Sequence, residues 1–488
     1  MKRSIGALLL TVLALVAACS PTPSPASPAP SAASPGATPA ASSTAAPRPI
    51  LVDTDLGSDD ILALAVLLRD PAVDVRAIAV DGTGLVHCEH GMRNLRRLLG
   101  ALGVTDMPIG CDGWTAGPGG REFPPEWRDG ADFLYGMDLP AVAGSQGGTP
   151  APTLIADTIR TSPSPLTIVA LGTWTNLAAA FAADPSLAPK VAGIHAMAGA
   201  IDVPGNVELG ATKAADGVEW NVGADPGPFA AVMALDIPVT LVPLDATNDI
   251  PVPADIVARL EPDHAAAGAD IAYELYARNP FLSTPGNFLW DPLAALTLTG
   301  PDLATWADAT VTVTTTGNQA GRIVRADGGR AIRFASAADA GRAMDALFAA
   351  LRRGAPRPQP FSIVGTLAVR WDGSTCRIEG TPPAAAGLVK VQFANDSSAS
   401  AGLFAAGVKT PQTWPEALAF IEGADFSDPG IVVPDWIIQV QGGNVLAEAE
   451  TDATAFVTLP AAEVGVICGT GEWPRFALTD GGSFTLEE

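Results

Sequence analysis

Basic residues are scarce in this chain: 28 Lys and Arg stand against 52 Asp and Glu, a formal net charge of −24 over 488 residues. No basic stripe occurs anywhere, which argues against nucleic acid and anionic lipid surfaces as partners and is compatible with a cation and a small or neutral substrate. Long apolar runs are also lacking. Beyond the N-terminus no stretch is long and apolar enough to span a bilayer. Cysteine is limited to five residues, and the C-terminal part has no His-Cys-Met set for copper, so that part reads as a structural or binding module.

The N-terminus, "MKRSIGALLLTVLALVAACS", has a basic start, a short apolar run and small residues before Cys19, the layout of a secretory signal. The ending "VAAC" resembles a bacterial lipoprotein signal spanning residues 1–19, with lipid carried on the Cys19 sulfur. Residues 20–48 are almost wholly Pro, Ser, Ala and Thr and read as a disordered tether holding the folded part off a membrane surface. The expected location is therefore the bacterial cell envelope, with the membrane reached only through the anchor. Export implies an oxidising compartment. The remaining cysteines fall two and two along the chain, so the expected pairs are Cys88–Cys111 and Cys376–Cys468.

Residues 49–354 alternate short apolar strands with helical runs: "PILVDTD", "VRAIAVDG", "LTIVALG", "GIHAMAGA" and "IPVTLVPLD" against "SDDILALAVLLRD", "GMRNLRRLLGALG" and "TWTNLAAAFAAD". This texture predicts an α/β fold, a mostly parallel sheet with helices on both faces, able to fold alone. In residues 359–488 the texture becomes strand-only, interrupted by one helix, "TWPEALAFIEG". It predicts a second, all-β sandwich domain joined early to late by Cys376 and Cys468.

Four aspartates crowd the end of the first strand in "VDTDLGSDDILAL": Asp53, Asp55, Asp59 and Asp60. Gly57 suits a tight turn, Ser58 can cap the next helix, and the first helical turn favours acids. That accounts for tolerance of charge there, not for its density. A bound divalent cation accounts for the rest. An EF-hand is excluded, because glycine falls at the fifth loop position and Leu64 at the twelfth. An Mg²⁺-dependent aspartate phosphatase is the rival on this stretch alone.

The same stretch, "DTDLGSDDILAL", resembles the N-terminal signature of the inosine-uridine-preferring nucleoside hydrolase family. "IVALGTWTNLAAAF", "GNVELGATKAADGVEWNVGADPGPFAAV" and "FLWDPLAAL" resemble three further segments of that family in the same order. The phosphatase reading gives the "EWN" and "WDP" stretches no role. The resemblance covers about residues 49–350 and implies Ca²⁺ held by Asp55, Asp60, Asp291 and the backbone carbonyl of Leu171. It further implies Asp55 as general base for a metal-bound water, Asp59 on the ribose hydroxyls, and Asn206, Glu219 and Asn221 as sugar ligands. Asp53 becomes a supporting acid. The implied reaction is hydrolysis of the N-glycosidic bond of a ribonucleoside to base and ribose, as in purine or pyrimidine salvage. A homo-oligomer through the α/β domain is compatible with it.

Two stretches depart from the family: after the second strand, where asparagine is common in better-known members, this chain reads "DGTGLVHCEHGMRN", and the last metal aspartate is preceded by a different residue. Where better-known members carry a His before the last metal aspartate, this chain has Trp290. Two routes to the departing base follow: His87 as a replacement acid, or stacking of Trp290 with Trp127 or Trp174 on the base. His90 is expected to be solvated, His195 structural, and His264 in a loop. Two alternatives also stay open: a Ca²⁺-dependent nucleoside- or sugar-binding lipoprotein without turnover, and a hydrolase of another ribosyl N-glycoside.

Overall fold

The computed structural model describes residues 46–142, 148–209, 212–213, 217–424, 432–472 and 475–487. The signal segment, Cys19 and the tether up to Ala45 lie outside the described residues, and no described helix is long and apolar enough to cross a membrane. The fold begins with β1 (Arg48–Thr54), so Arg48 already belongs to the sheet rather than to the tether. Next come β2 (Val73–Asp81), β3 (Ile109–Asp112), β4 (Leu166–Ala170) and β5 (Val191–Ala196).

Nine strands form one sheet, in the order Ile323–Arg325, Ala304–Val313, Arg330–Ala338, Val239–Leu241, β5, β4, β1, β2, β3. Every pair from Arg330–Ala338 across to β3 is parallel. The other edge ends in an antiparallel addition. β1 shows why the sheet is covered on both sides. Ile50 and Val52 join the apolar cluster containing the helix Ser58–Leu67, while Leu51 joins the opposite cluster with Ile168 and Trp174. Successive side chains point to opposite faces, so an unbroken apolar run requires helices on both.

The C-terminal part forms two four-stranded sheets that share one apolar core, with Leu367 and Val389 from one sheet packed with Leu403 and Val464 from the other. Cys376 and Cys468 form a disulfide between the two sheets, and Cys88 is joined to Cys111 of β3. The expected helix is present as Trp414–Gly423.

The two parts do not hang on a free linker. Leu388 and Phe456 of the sandwich and Phe361 before it belong to the same apolar cluster as Tyr273 of the α/β part. Lys390 Nζ reaches Glu261 Oε1 at 2.5 Å, and Arg357 of the connecting segment is buried beside Glu274, 2.6 Å from its Oε2. The change of texture near Gly354 is therefore a change of secondary structure, not a break in packing.

Candidate active site

β1 ends in Asp53-Thr54, and the turn after it carries Asp55 and leads to Asp59 and Asp60 on the first turn of the helix Ser58–Leu67. The local geometry departs from the sequence expectation in two ways. The left-handed residue of the turn is Leu56, at φ 57°, and not Gly57. Gly57 is needed for space: a Cβ there would sit 2.9 Å from Asp60 Oδ2 and 3.2 Å from Asp59 Oδ1. Ser58 is not the cap; Asp60 Oδ2 instead accepts the Gly57 backbone N–H at 2.9 Å. Asp60 Oδ1 accepts from Thr54.

Asp55 is wedged between two glycines, since a Cβ on Gly84 or on Gly172 would collide with its side chain. Its Oδ2 accepts the Leu85 backbone N–H at 3.1 Å. Asp291 comes from the first turn of the helix Trp290–Thr297, and its backbone N–H donates to Asp59 Oδ2 at 3.2 Å. Carboxylate oxygens of Asp59, Asp60 and Asp291 lie within 4.8 Å of one another. Asp55 adjoins this group through Asp60.

The electrostatics of the cluster are uncompensated. Burial, followed by the charge of Asp60, pushes the Asp55 and Asp291 carboxyls well above the ordinary range. The same causes raise Asp59 to about 7. Burial also raises Asp60, partly offset by the hydrogen bonds it accepts. Carboxylates so placed hold protons or a cation. The donor set, made of hard carboxylate oxygen atoms, fits a divalent ion. Asp53 sits behind the cluster, fully buried, with Oδ1 accepting from Asn176 Nδ2 at 3.0 Å. Its carboxyl is raised by burial and then by Asp81, an acid at the end of β2 that sequence reasoning did not single out. Asp81 accepts from Thr173 Oγ1 at 2.6 Å and is itself raised to about 6 by burial.

The cluster lines a cavity of about 450 Å³. Asn206, Glu219, Asn221 and Leu171 line it as expected. Asn221 Nδ2 donates to the carbonyls of Leu171 and Met197, both at 3.0 Å. Glu219 caps the helix Trp220–Ala224, accepting from Asn221 N at 2.8 Å and Gly199 N at 2.9 Å, and burial raises its carboxyl. Asn206 Oδ1 accepts from Trp220 N at 3.2 Å. No Lys or Arg lines the cavity among the described residues.

The same cavity also has an aromatic lining. Trp290 and Trp127 line it, joined by Trp220 and Phe123, whose rings stack at 4.7 Å, and by Phe281. Trp127 meets Trp220 edge-on at 5.5 Å. The indole N–H groups of Trp220 and Trp290 are buried and have no protein partner. Trp220 was within reach of the sequence, since it is the middle residue of "EWN".

Two expected residues are elsewhere. Trp174 is fully buried in the core on the opposite face of the sheet, its ring 4.1 Å from that of Phe229, so it cannot stack on a substrate. It follows the β4 turn closely in sequence, but its side chain points into the helix layer. His87 does not line the cavity either. It precedes the helix Cys88–Ala101, and its Nδ1 is bonded to Asp132 Oδ2 at 2.7 Å. His90 lies beside Arg93, and His264 pairs with Asp270. His195 is buried against the Ala294 carbonyl, which fits a structural role.

Tyr135 was not expected. It lines the cavity beside Ser58 and Asp59, and burial followed by the charges of Asp59, Asp55 and Asp60 raises its hydroxyl well above the usual range. Both Leu134 and Tyr135 are left-handed, at φ 53°, a conformation that costs a non-glycine residue about 1 kcal/mol or more.

A parallel sheet that carries buried carboxylates and amides into one cavity, together with a group of aromatic rings, defines an enzyme class that grips a polar ring and a flat ring together. The family is identifiable as well. Residues 50–347 match the model of the inosine-uridine preferring nucleoside hydrolase. The pyrimidine-specific ribonucleoside hydrolase of Citrobacter koseri is 32% identical over 282 residues, covering 55% of this chain and 85% of that protein. Its Escherichia coli counterpart is 32% identical over 275 residues, with the same coverage. Among solved structures, an inosine-uridine preferring nucleoside hydrolase from Bacillus anthracis superposes with a TM-score of 0.54 at 25% identity, over 62% of this chain and 99% of that one. A plant nucleoside hydrolase gives 0.55 at 25% identity, over 63% and 99%. The chain belongs to the inosine-uridine preferring nucleoside hydrolase family and is an N-glycosyl hydrolase.

Proposed function

We propose that the protein hydrolyses the N-glycosidic bond of ribonucleosides with Ca²⁺ as cofactor and Asp55 as general base. The observation that carries this reading is that one cavity is lined by an uncompensated carboxylate cluster, by Asn206, Glu219 and Asn221, and by several aromatic rings. Asp55, Asp60, Asp291 and the Leu171 carbonyl are the residues that would hold the cation. The calcium ion, when bound, supplies a water of lowered pKa and attachment points for sugar hydroxyls. A set of several protein oxygen donors, carboxylates and a carbonyl, suits Ca²⁺, whereas Mg²⁺ is usually held by one or two carboxylates and keeps several waters.

The chain's own residues then do the following. Asn206, Glu219 and Asn221 orient the ribose, and Asp59 accepts from its hydroxyls. As the bond from the anomeric carbon to the base nitrogen stretches, positive charge on the sugar is stabilised by the nearby carboxylates. Asp55 takes a proton from the incoming water, whose oxygen bonds to the anomeric carbon. Trp290 and Trp127, with Trp220 and Phe123 behind them, stack on the base, which takes its proton from solvent as it leaves.

We also propose that the protein is exported and anchored through lipid on Cys19, that the chain from residue 20 up to the start of β1 acts as tether, and that the α/β part, to residue 354, and residues 359–488 are its two domains. Any homo-oligomer would form through the first of these.

The test is to incubate the purified chain with a panel of nucleosides, with and without Ca²⁺, and assay reducing sugar. Ribose released only with Ca²⁺, and lost in Asp55→Asn, supports the reading. Tight nucleoside binding by calorimetry without ribose release would establish a binding protein instead. Turnover of a different ribosyl N-glycoside alone would move the substrate class.

A further inference from the structure

The segment that leads to the C-terminal sandwich is wired to the wall of the cavity. Arg357, six residues beyond the helix Ala340–Leu351, is almost completely buried, with its side chain 3% exposed. Its Nη1 donates to Glu274 Oε2 at 2.6 Å, and Glu274 is fully buried. The other oxygen of Glu274 accepts the Asp138 backbone N–H at 2.7 Å and Arg278 Nε at 3.0 Å. Arg357 Nη2 reaches the Asp138 carbonyl at 3.5 Å. Asn279, the residue just past the helix Ala267–Arg278 that carries Glu274, donates from Nδ2 to the Tyr135 carbonyl at 2.6 Å. Residues 134–138 are thus clamped at Tyr135 and at Asp138.

That clamp bears on the two consecutive left-handed residues, Leu134 and Tyr135. Neither is glycine, so the turn would relax to another conformation unless its surroundings held it. The product of the strain is placement of the Tyr135 ring in the cavity, beside Ser58 and the carboxylate cluster.

We infer that Arg357 is a positioning residue for the active site: through Glu274 it holds the strained turn that places Tyr135 against the substrate, so the connection to the C-terminal domain is part of the catalytic apparatus. Tyr135 is the group that meets substrate, and Arg357 acts only through it. This rests on the nucleoside hydrolase reading of the cavity. The sandwich is then more than an appended module, because the approach to it carries the residue that fixes the pocket wall.

A double-mutant cycle on the full chain tests the inference. Arg357→Ala should lower kcat/KM for a nucleoside by about ten- to a hundredfold, the scale of a displaced positioning group. In a Tyr135→Ala background the same substitution should cost less than about threefold, because its target is already gone. Arg357→Lys should restore part of the rate. Lys390→Ala, which breaks a contact between the two parts that does not involve residues 134–138 or Arg357, should leave the kinetics unchanged. If Arg357→Ala is insoluble, Glu274→Gln enters the same cycle. Equal losses from Arg357→Ala with and without Tyr135, or no loss in either, would overturn the linkage. A wild-type chain that releases no ribose defeats the nucleoside hydrolase reading, and this inference with it. A turning-over enzyme with an additive cycle defeats this inference alone.

Discussion

Two groups of buried acids lie in the α/β part, and they behave as opposites. Asp55, Asp60 and Asp291 are each 2% exposed, while Asp270 and Glu274 are 1% and 0% exposed. Burial does not separate them; the partners do. Asp270 and Glu274 are met by Arg357, Arg278 and His264. Around the first group no Lys or Arg lines the cavity among the described residues, and its members repel one another. A buried carboxylate with a matched cation belongs to the architecture. A buried carboxylate without one is stored capacity for a ligand, here a cation and a sugar.

The sharpest way to break this contrast is to remove charge from each group and compare. Asp60→Asn and Asp291→Asn should abolish turnover, by about a thousandfold or more in kcat/KM, and remove calcium binding in calorimetry. In the presence of a chelator the same variants should melt no lower than wild type, since they relieve repulsion. A drop of several degrees in the chelated variants would mean that the cluster is already compensated.

The paired group should answer in the other sense. Arg357→Ala should lower the unfolding free energy by about 3–5 kcal/mol, the cost of leaving a buried charge unmatched. Replacing both partners, as Arg357→Leu with Glu274→Gln, should come close to neutral in the same denaturant titration. If the double variant is as unstable as the single one, shape rather than charge holds the connection.

The contrast also marks what could be read in the sequence. The first cluster was legible because three of its members fall within six residues after an apolar strand, and Asp291 follows in a second short motif. The sheet was legible for a related reason, since unbroken apolar runs such as "PILVDTD" leave no exposed face. Tyr135 was not legible. Its place depends on two left-handed residues that are not glycine, in a turn held by Asn279 and Glu274 from about 140 residues further along. Trp174 misled because nearness in sequence to Leu171 does not say which face of the sheet a ring takes. The pairing of Arg357 with Glu274 is separated by 83 residues and has no local signature at all.

A third buried group, His195, offers a finer test because its sign differs from that of the acids. Burial lowers its pKa from 6.5 to about 4. A folded-state pKa below the unfolded one means that the unfolded chain binds the proton first as pH falls. The stability tied to neutral His195 is therefore complete above pH 6.5 and is lost between there and about 4, by at most about 3 kcal/mol. Asp81, raised to about 6, works oppositely: its cost is absent in acid and grows as pH rises from 3.8 towards 6. His195→Gln should flatten the acid side of the stability profile relative to wild type. Parallel profiles for the two proteins would mean that His195 is not neutral and buried in solution.

The smallest expected effect belongs to His87, and its smallness is informative. The base must leave with a proton, and the chain has Trp290 where an acid would stand. His87 is held by Asp132 and is absent from the cavity wall, whereas Trp290 lines the cavity next to Asp291. His87→Ala should therefore change kcat/KM by less than about twofold for nucleosides and for a nitrophenyl riboside alike, since the latter needs no acid. Trp290→Ala should slow a purine nucleoside by about tenfold while sparing the nitrophenyl substrate, because stacking matters most where the leaving group is poor. Loss confined to the nucleoside in His87→Ala would restore that residue as the acid and require the Cys88 end of its helix to move towards the cavity. Equal loss on both substrates in Trp290→Ala would instead assign that ring to sugar placement. The two variants, read against the same pair of substrates, separate protonation from stacking without reference to any other residue of the pocket.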